Sequence, residues 1–459
     1  MSVKEINFMN EFSKYKEDII KHTINLVKIP STLVDNEIVD GVCYRFGYQN
    51  KLALDYYLDL AEELGFKTKN IENVCGEVVY DFGAPEDSEI FACLCHLDVV
   101  PADGEWKNPP YEPWIEDGKI YGRGTSDDKG PAVVSLYALK VLKDLNIKVS
   151  RKIKLIVGTD EESGSRGLHR YMELEKNPDL GISPDADFPI IFAEKGITSF
   201  EISGKNESGI KAEGGVRLNV VAPWAKFTSD IDLPDFVEKT SGKIIDGEYY
   251  IEGKSAHAME PNNGVNAIKE FVKYIHDKVS DNFINFIYEK LMNTRLKDMG
   301  LDITDVEMGD LTMNIGLLKM DKESKLGINM RYPRNLDFNK FYESFNSQAK
   351  EYGLEVKVLS NTKPHYIDPK SDFIAKLHKS YIKYTNDHSP LKSIGGGTYA
   401  REIKNGVAFG VKFPNEEEMA HEVNEYIKID SLMKKLDGQT KYTIKFEPAD
   451  ENFLYLVIF

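Results

Sequence analysis

Apolar residues recur with helical spacing near the start of the chain. The apolar positions between Phe12 and Val27 predict a helix over residues 11–27, and Pro30 follows its end. The segment "LALDYYLDLAEELG" predicts a second helix that ends at Gly65. The pattern therefore predicts that the first part of the chain is helical.

Short apolar runs that are typical of buried strands follow these helices. They lie at residues 78–80 and 91–97, and a further run opens the segment "KIKLIVGTDEESG". Between the last two runs, "GRGTSDDKGPAVVSLYALKVLKDL" predicts a loop and then a helix with Pro131 in its first turn. Because strands alternate with helices, we expect an α/β fold whose central sheet is mostly parallel or mixed and is flanked by helices.

The pattern changes near Gly196. The segments "TSFEISG", "EYYIEGKSAHAM", "LTMNIGLLKM" and "KLGINMRYP" predict strands, and "NAIKEFVKYIHDKV" predicts a helix. Helical α/β character resumes near Asp368. We therefore expect one discontinuous domain over residues 1–194 and 367–459, with an α+β domain inserted over residues 195–366.

The charge balance excludes two classes of partner. The chain has 58 Lys and Arg against 75 Asp and Glu, a net charge of -17, and no basic stretch with interleaved aromatic residues. Nucleic acid and anionic membranes are therefore not expected as partners. Since the start lacks the features of a signal peptide and no run of apolar residues is long enough to span a membrane, we expect a cytoplasmic protein.

One strand pattern ends on residues that carry chemistry. The apolar run "IFACLC" is followed by His96 and Asp98. Side chains alternate along a strand, so Cys93 and Cys95 point away from His96 and are expected in the core. Ligands of α/β sheets bind beyond the carboxyl ends of strands, which makes this strand end a candidate site.

Acidic clusters follow several predicted elements. They are "HLD", "SDDKG", "DEESG" and "PDADFP", and a fifth segment, "EEEMAHEVNEY", contains His421. Imidazole and carboxylate ligands suit zinc, manganese or cobalt, and two such ions need one bridging carboxylate. Of the adjacent Glu161 and Glu162, one can bind metal while the other serves as a general base. Each cluster taken alone is also compatible with an exposed acidic loop.

Seven motifs together resemble one family of enzymes. They are "HLDVVP", "GRGTSDDKGP", "GTDEESGS", "SPDADFP", "GKSAHAMEPNNG", "GGGTYARE" and "MAHEVNEY". In this order they are similar to the dinuclear-zinc aminoacylase, carboxypeptidase and dipeptidase superfamily. The resemblance is strongest to its bacterial dipeptidase V branch, which is related to carnosine-type dipeptidases, and it covers roughly residues 10 to 430.

The resemblance implies roles for the residues of the first domain, which would be catalytic. His96 and Asp185 would hold one metal ion, and Glu162 and His421 would hold the other. Asp127 would bridge the two ions, and a cis peptide bond would follow it. The two remaining roles are those of Asp98, which would orient the ring of His96, and Glu161, which would be the general base.

The inserted domain would be the lid of that family. His257 would donate to the oxyanion of the tetrahedral intermediate, and Asn219 and Arg331 would contact substrate. Arginine can bind a terminal carboxylate with two parallel hydrogen bonds. The glycine loop would bind substrate through Gly395, Gly396 and Thr398.

The function implied by the resemblance is a dipeptidase with two divalent metal ions per chain. Zinc is the first expectation, and manganese and cobalt are the alternatives. The substrates would be small dipeptides with a free amino terminus, including those that begin with β-alanine or D-alanine. An N-acyl amino acid hydrolase and a non-catalytic metal-binding protein are the two alternatives. The enlarged lid implies a monomer, whereas the strand-like tail after about residue 435 has no assigned role.

Overall fold

The structure, a computed structural model, describes residues 8–240 and 242–433 and divides them into two compact units. The first unit consists of residues 8–192, 367–392 and 398–433, and the second of residues 193–366 and 393–397. The C-terminal tail, for which the sequence predicts strands, lies outside the described residues. The expected mixed α/β fold is confirmed.

The first unit contains a mixed sheet whose strands we number in chain order. They are β1 (Lys67–Ile71), β2 (Cys75–Tyr80), β3 (Ile90–His96), β4 (Lys152–Gly158), β5 (Leu180–Ser183), β6 (Ile191–Glu194) and β7 (Gly406–Ala408). Their order across the sheet is β6, β7, β5, β3, β4, β2 and β1. β3 lies between β4 and β5 and is parallel to both, so the carboxyl ends of these three strands meet at one edge.

The first unit also contains helices, 3-10 turns and short strands, which are given in chain order. Its helices are Phe8–Ser13, Lys16–Val27, Tyr48–Glu63, Lys129–Asp144, Arg166–Leu174, Asp372–Thr385 and Ile429–Met433, with 3-10 turns at Glu161–Ser163 and Tyr399–Glu402. Its short strands are Glu37–Val39, Val42–Tyr44, Trp114–Glu116, Lys119–Tyr121, Ala186–Asp187, Lys392–Ile394, Val411–Lys412 and Tyr426–Lys428.

The N-terminal helix differs from its prediction. The expected single helix is divided into Phe8–Ser13 and Lys16–Val27. The division falls at Tyr15, whose ring packs against Tyr137 at a centroid distance of 5.4 Å. A tertiary contact of this kind is invisible to helical periodicity.

The core of the first unit contains apolar residues of the strands and of the helices packed against them. Leu94 of β3 and Ile156 of β4 are fully buried and share a cluster with Leu168 of the helix Arg166–Leu174. Cys93 and Cys95 are also fully buried, and their thiols lie beside the hydroxyl of Ser135. Continuous burial of β3 explains why its sequence reads as an unbroken apolar run.

The second unit is built on an antiparallel sheet. The strands of the unit are Gly196–Lys205, Lys211–Gly214, Trp224–Thr228, Lys243–Ile245, Glu248–Glu252, Thr304–Asp305, Gly309–Asp310, Thr312–Met320, Glu323–Tyr332, Glu355–Thr362 and His365–Tyr366. Its helices are Phe236–Thr240, Ala267–Ile275, Asn282–Lys290 and Phe338–Glu351, with 3-10 turns at Pro261–Asn263 and Lys297–Met299. Side chains from the sheet and from the three longer helices form one apolar core.

Within the described part of the chain, no helix has the length and apolar character that crossing a membrane requires.

We predict that Leu94→Ala destabilises the first unit by about 2–5 kcal/mol, because it removes a fully buried side chain from a packed core. Leu174→Ala is the matched control, since Leu174 is 48% exposed at the end of a helix in the same unit. Its expected effect is within about 0.5 kcal/mol. Urea denaturation of both variants, followed by circular dichroism, measures the difference. Equal midpoints for the two variants would contradict the assignment of Leu94 to the core.

Candidate metal centre

The parallel register of three strands delivers acidic and imidazole side chains to one place. His96 is the last residue of β3 and pairs in register with Gly158, the last residue of β4. Glu161 and Glu162 open the 3-10 turn directly after β4, and Asp185 follows the end of β5. All these residues belong to the first unit.

Asp127 lies between two histidines. Its Oδ1 is 2.9 Å from Nε2 of His96, and its Oδ2 is 3.0 Å from Nε2 of His421. Each oxygen of one carboxylate therefore faces a different imidazole nitrogen. This arrangement is compatible with a carboxylate that bridges two metal ions.

Further carboxylates complete a group around each histidine. Glu162 Oε1 lies 2.9 Å from Nε2 of His421, and Asp185 Oδ2 lies 3.7 Å from Nε2 of His96. The possible ligand atoms of His96, Asp127 and Glu162 lie within 4.8 Å of one another. The same limit holds for those of His96, Glu161 and Asp185. The five predicted ligands and the predicted base thus come together in the structure.

Asp98 supports both sides of this cluster. Nδ1 of His96 donates to the backbone carbonyl of Asp98 at 3.0 Å, which leaves Nε2 directed at Asp127. The Asp98 carboxylate lies 3.5 Å from Nδ1, and its two oxygens accept the backbone N–H groups of Glu161 and Glu162, each at 3.1 Å. The main-chain carbonyl of Asp98 therefore orients the His96 ring. The side chain of Asp98 fixes the backbone of Glu161 and Glu162.

Asp160 is a supporting residue that sequence reasoning missed. Its buried carboxylate accepts the backbone N–H groups of Arg166 and Gly167 at 3.0 and 2.8 Å, and it also accepts Nε of Arg166. These bonds close the turn that presents Glu161 and Glu162. In the sequence, Asp160 is recognisable only as the first acid of the segment "DEES". The functional roles in that segment were assigned to the two glutamates that follow it.

The peptide bond between Asp127 and Asp128 is cis, as the resemblance implies. Oδ2 of Asp128 accepts the backbone N–H of His96 at 3.1 Å. This bond joins the loop that carries Asp127 to the end of β3.

Crowding of partly buried acids shifts the pKa values of the cluster. Burial raises the pKa of Asp185 to about 7, and the charge of Asp127 adds to this effect. Burial, together with the charges of Asp185 and Glu162, raises the pKa of Glu161 well above its usual value. Burial lowers the pKa of His421, but Asp127 and Glu162 outweigh it and raise that pKa to about 11.

The donor set fits divalent metal ions. Imidazole nitrogens and carboxylate oxygens are ligands that zinc, manganese and cobalt accept. Crowded, partly buried acids of like charge are stabilised by a cationic partner, and a divalent ion can supply that charge. His96 is also oriented as a metal ligand would be, because its Nδ1 is already hydrogen-bonded and its Nε2 is directed at the cluster.

Five residues with predicted catalytic or substrate-binding roles belong to the second unit: Asn219, His257, Arg331, Gly395 and Gly396. Asn219 and His257 are exposed, and the carbonyl of Asn219 accepts the N–H of Ala258 at 2.9 Å. Arg331 is buried, with Nε donating to Asn329 at 2.8 Å and Nη1 donating to the carbonyl of Gly395 at 2.9 Å.

The glycine loop approaches the His257 segment closely. A Cβ atom on Gly395 would lie 2.7 Å from Cβ of Met259, whose own N–H donates to Nδ1 of His257. Only glycine allows this approach. Gly396 is partly buried in the same loop, whereas Thr398 is buried in the first unit, where its hydroxyl accepts the N–H of Ala400.

Two more residues of the first unit were missed at the sequence level. Arg123 and Glu425 are buried and form an ion pair at 2.8 Å. Glu425 stands four positions after His421 in the motif "MAHEVNEY", and that position is the signal that could have identified it.

Comparison with known proteins agrees with this geometry. The model of peptidase family M20/M25/M40 matches residues 92–441. A Bacillus subtilis protein named "Putative dipeptidase YtjP" is 36% identical over 458 residues, which cover 94% of this chain and 97% of that protein.

Solved structures show the same fold. Human carnosine dipeptidase 1 has a TM-score of 0.61 at 15% identity, with 98% of each chain covered. The di-peptidase Dug1p from Saccharomyces cerevisiae has a TM-score of 0.60 at 14% identity, with 98% of this chain and 96% of that chain covered. From the match to the family model and the 36% identity over nearly the whole length, the chain belongs to peptidase family M20/M25/M40 and is a metallopeptidase.

Proposed function

We propose that this metallopeptidase is a dipeptidase that hydrolyses the peptide bond of dipeptides with a free amino terminus, using two divalent metal ions. One observation carries the proposal: the two oxygens of Asp127 face two different histidines, with a further carboxylate beside each histidine. The name of the Bacillus subtilis relative supports dipeptides as the substrate class.

The residues that would hold the metal ions are those of the acidic cluster. His96 and Asp185 would bind one ion, Glu162 and His421 the other, and Asp127 would bridge them. When bound, the ions act as Lewis acids toward the peptide carbonyl and lower the pKa of a water molecule. The short distances between Asp127 and both imidazoles support this division.

Glu161 would serve as the general base. Its carboxylate would take a proton from the attacking water and return it to the nitrogen of the leaving amine. Burial and nearby acids raise its pKa, which suits a group that must hold a proton between the two transfers. Asp98 fixes the backbone at Glu161 and Glu162, so each glutamate can keep a separate role.

Residues of the second unit would contact the substrate. His257 would donate to the oxyanion, and Arg331 would bind the carboxylate at the end of the dipeptide. The bond from Arg331 Nε to Asn329 fixes the plane of the guanidinium, which supports a role in directed binding. Asn219, Gly395, Gly396 and Thr398 complete the proposed contacts.

Other properties stay predictions from the sequence. They are the preference for zinc over manganese or cobalt, cleavage of β-alanyl and D-alanyl dipeptides, the monomeric state and the cytoplasmic location.

Metal removal and substrate choice test the proposed function directly. We expect the metal-stripped protein to be inactive, and we expect zinc, manganese or cobalt to restore cleavage of dipeptides with a free amino group. Release of amino acids from a panel of dipeptides and N-acetyl amino acids is the measurement. Cleavage confined to the N-acetyl compounds would replace the dipeptidase with an N-acyl amino acid hydrolase. Metal binding without cleavage of either set would favour the non-catalytic alternative.

The two adjacent glutamates provide a matched pair of variants. Glu161→Gln should lower kcat by about 100- to 10,000-fold, the range typical of a lost general base, while two metal ions per chain are retained. Glu162→Gln should instead lower metal content, because the amide removes an anionic ligand. Steady-state kinetics and metal analysis of both variants distinguish the roles. Loss of metal from Glu161→Gln with full retention by Glu162→Gln would reverse the assignment.

The proposed role of Arg331 is tested with substrates that have or lack a C-terminal carboxylate. Arg331→Lys should lower kcat/KM for free dipeptides by about 10- to 100-fold, because charge-assisted bidentate hydrogen bonds are lost. For dipeptides with a carboxamide at the C-terminus, the variant and the unaltered protein should differ little. An equal loss on both substrate sets would mean that Arg331 does not bind the carboxylate.

A further inference from the structure

Two loops of the first unit are connected to the two strands of one antiparallel pair. The strands Lys119–Tyr121 and Tyr426–Lys428 are antiparallel, with Tyr121 opposite Tyr426. The chain leaves the first strand toward Asp127, and it enters the second strand from the segment that contains His421. The strand pair therefore joins the bases of two loops that each carry a metal ligand.

The carboxylate of Glu425 binds the Asp127 loop at several points. Oε2 accepts the N–H of Gly124 at 2.9 Å, and Oε1 accepts the N–H groups of Ser126 and Asp127 at 2.8 and 3.2 Å. The backbone carbonyl of Glu425 also accepts the N–H of Gly122 at 2.9 Å. Glu425 is fully buried, so these loop amides have a carboxylate in place of water.

Arg123 connects the same carboxylate to the His421 loop. Its Nη1 donates to Oε2 of Glu425 at 2.8 Å, and its Nη2 donates to the backbone carbonyl of His421 at 3.1 Å. The arginine side chain is 3% exposed, and its guanidinium lies 5.1 Å from the ring centroid of Trp106. One planar group thus fixes a distance between the two loops.

The loop that contains His421 has two residues in an unfavourable backbone conformation. His421 has a φ of 67° and Asn424 a φ of 58°, both in the left-handed region that non-glycine residues rarely adopt. Such conformations persist where surrounding contacts enforce them. The bond from Arg123 to the carbonyl of His421 is a contact of this kind.

We propose that Arg123 and Glu425 are a positioning pair that sets the separation of Asp127 and His421, and with it the affinity of the chain for its second divalent ion. The inference rests on the metal-dependent function proposed above and extends it to residues that contact neither metal nor substrate. Glu425 acts through the backbone of the Asp127 loop, and Arg123 acts through the carbonyl of His421.

Substitution of Glu425 by glutamine should weaken the loop contacts without changing side-chain size. The amide nitrogen of glutamine is a donor, so it would face either the loop N–H groups or Arg123, which are also donors. Residues that orient metal ligands typically change metal affinity by 10- to 100-fold when they are substituted. We therefore expect Glu425→Gln to bind the weaker of two Co²⁺ equivalents about 10- to 100-fold less tightly.

Glu77→Gln is the matched control. Glu77 is also a buried glutamate of the first unit, but its carboxylate is bonded to Lys154 and Tyr171. Both variants lose a buried ion pair, whereas only Glu425→Gln alters the loops of Asp127 and His421. Glu77→Gln should therefore bind both Co²⁺ equivalents as the unaltered protein does.

The experiment is a titration of the metal-stripped full chain with Co²⁺, read by calorimetry and by the visible absorption of the bound ion. Glu425→Gln should show the weaker second equivalent and an altered absorption spectrum, and Arg123→Lys should show the same change to a smaller extent. If Glu425→Gln does not fold, Arg123→Lys carries the test, because it keeps the charge but cannot reach both acceptors. Affinity and spectrum identical to those of the unaltered protein would overturn the proposal, as would an equal loss in Glu77→Gln.

Failure of the proposed function has a different signature. If the unaltered protein binds two Co²⁺ ions but cleaves no dipeptide, the dipeptidase is wrong, and the comparison of variants still decides the positioning role. If the unaltered protein binds no Co²⁺, both proposals are wrong.

Discussion

Mutual repulsion among four crowded, partly buried carboxylates is the main electrostatic constraint on the first unit. Asp127, Glu161, Glu162 and Asp185 converge on His96 and His421 at one edge of a buried sheet. Such a group is costly unless cations compensate it, and the raised pKa values of Glu161 and Asp185 express that cost. Divalent ions bound by the same atoms, as proposed, would relieve this repulsion.

A second set of acids holds the first set in position. The carboxylates of Asp98, Asp128, Asp160 and Glu425 accept backbone N–H groups around the cluster. Loops at a strand end lack the regular hydrogen-bond partners of a sheet, so buried side chains must supply them. The acidic clusters of the sequence thus divide into two physical roles. One set faces the proposed metal positions, and the other provides hydrogen-bond acceptors for the loop backbone.

Part of this architecture could be predicted locally. The unbroken apolar run of β3 and the alternation of strands and helices indicated the α/β class, which is confirmed. The helix at the start was expected to be continuous but is interrupted between Ser13 and Lys16, where Tyr15 packs against Tyr137. Such a contact between distant residues leaves no mark on helical periodicity. The roles of the individual ligands stay predictions that the proposed variants test.

Local sequence showed which segments carry acidic and imidazole side chains at the ends of predicted elements, because motif identity and position are local properties. The family resemblance of these motifs then implied Asp127, His96 and His421 as ligands of two metal ions. That each oxygen of Asp127 lies beside a different histidine follows from the folded chain, because strand register and loop packing join segments that are far apart in the sequence. The same reason explains why Arg123 and Glu425 were missed: their role consists entirely of hydrogen bonds between loops that have no pattern in common.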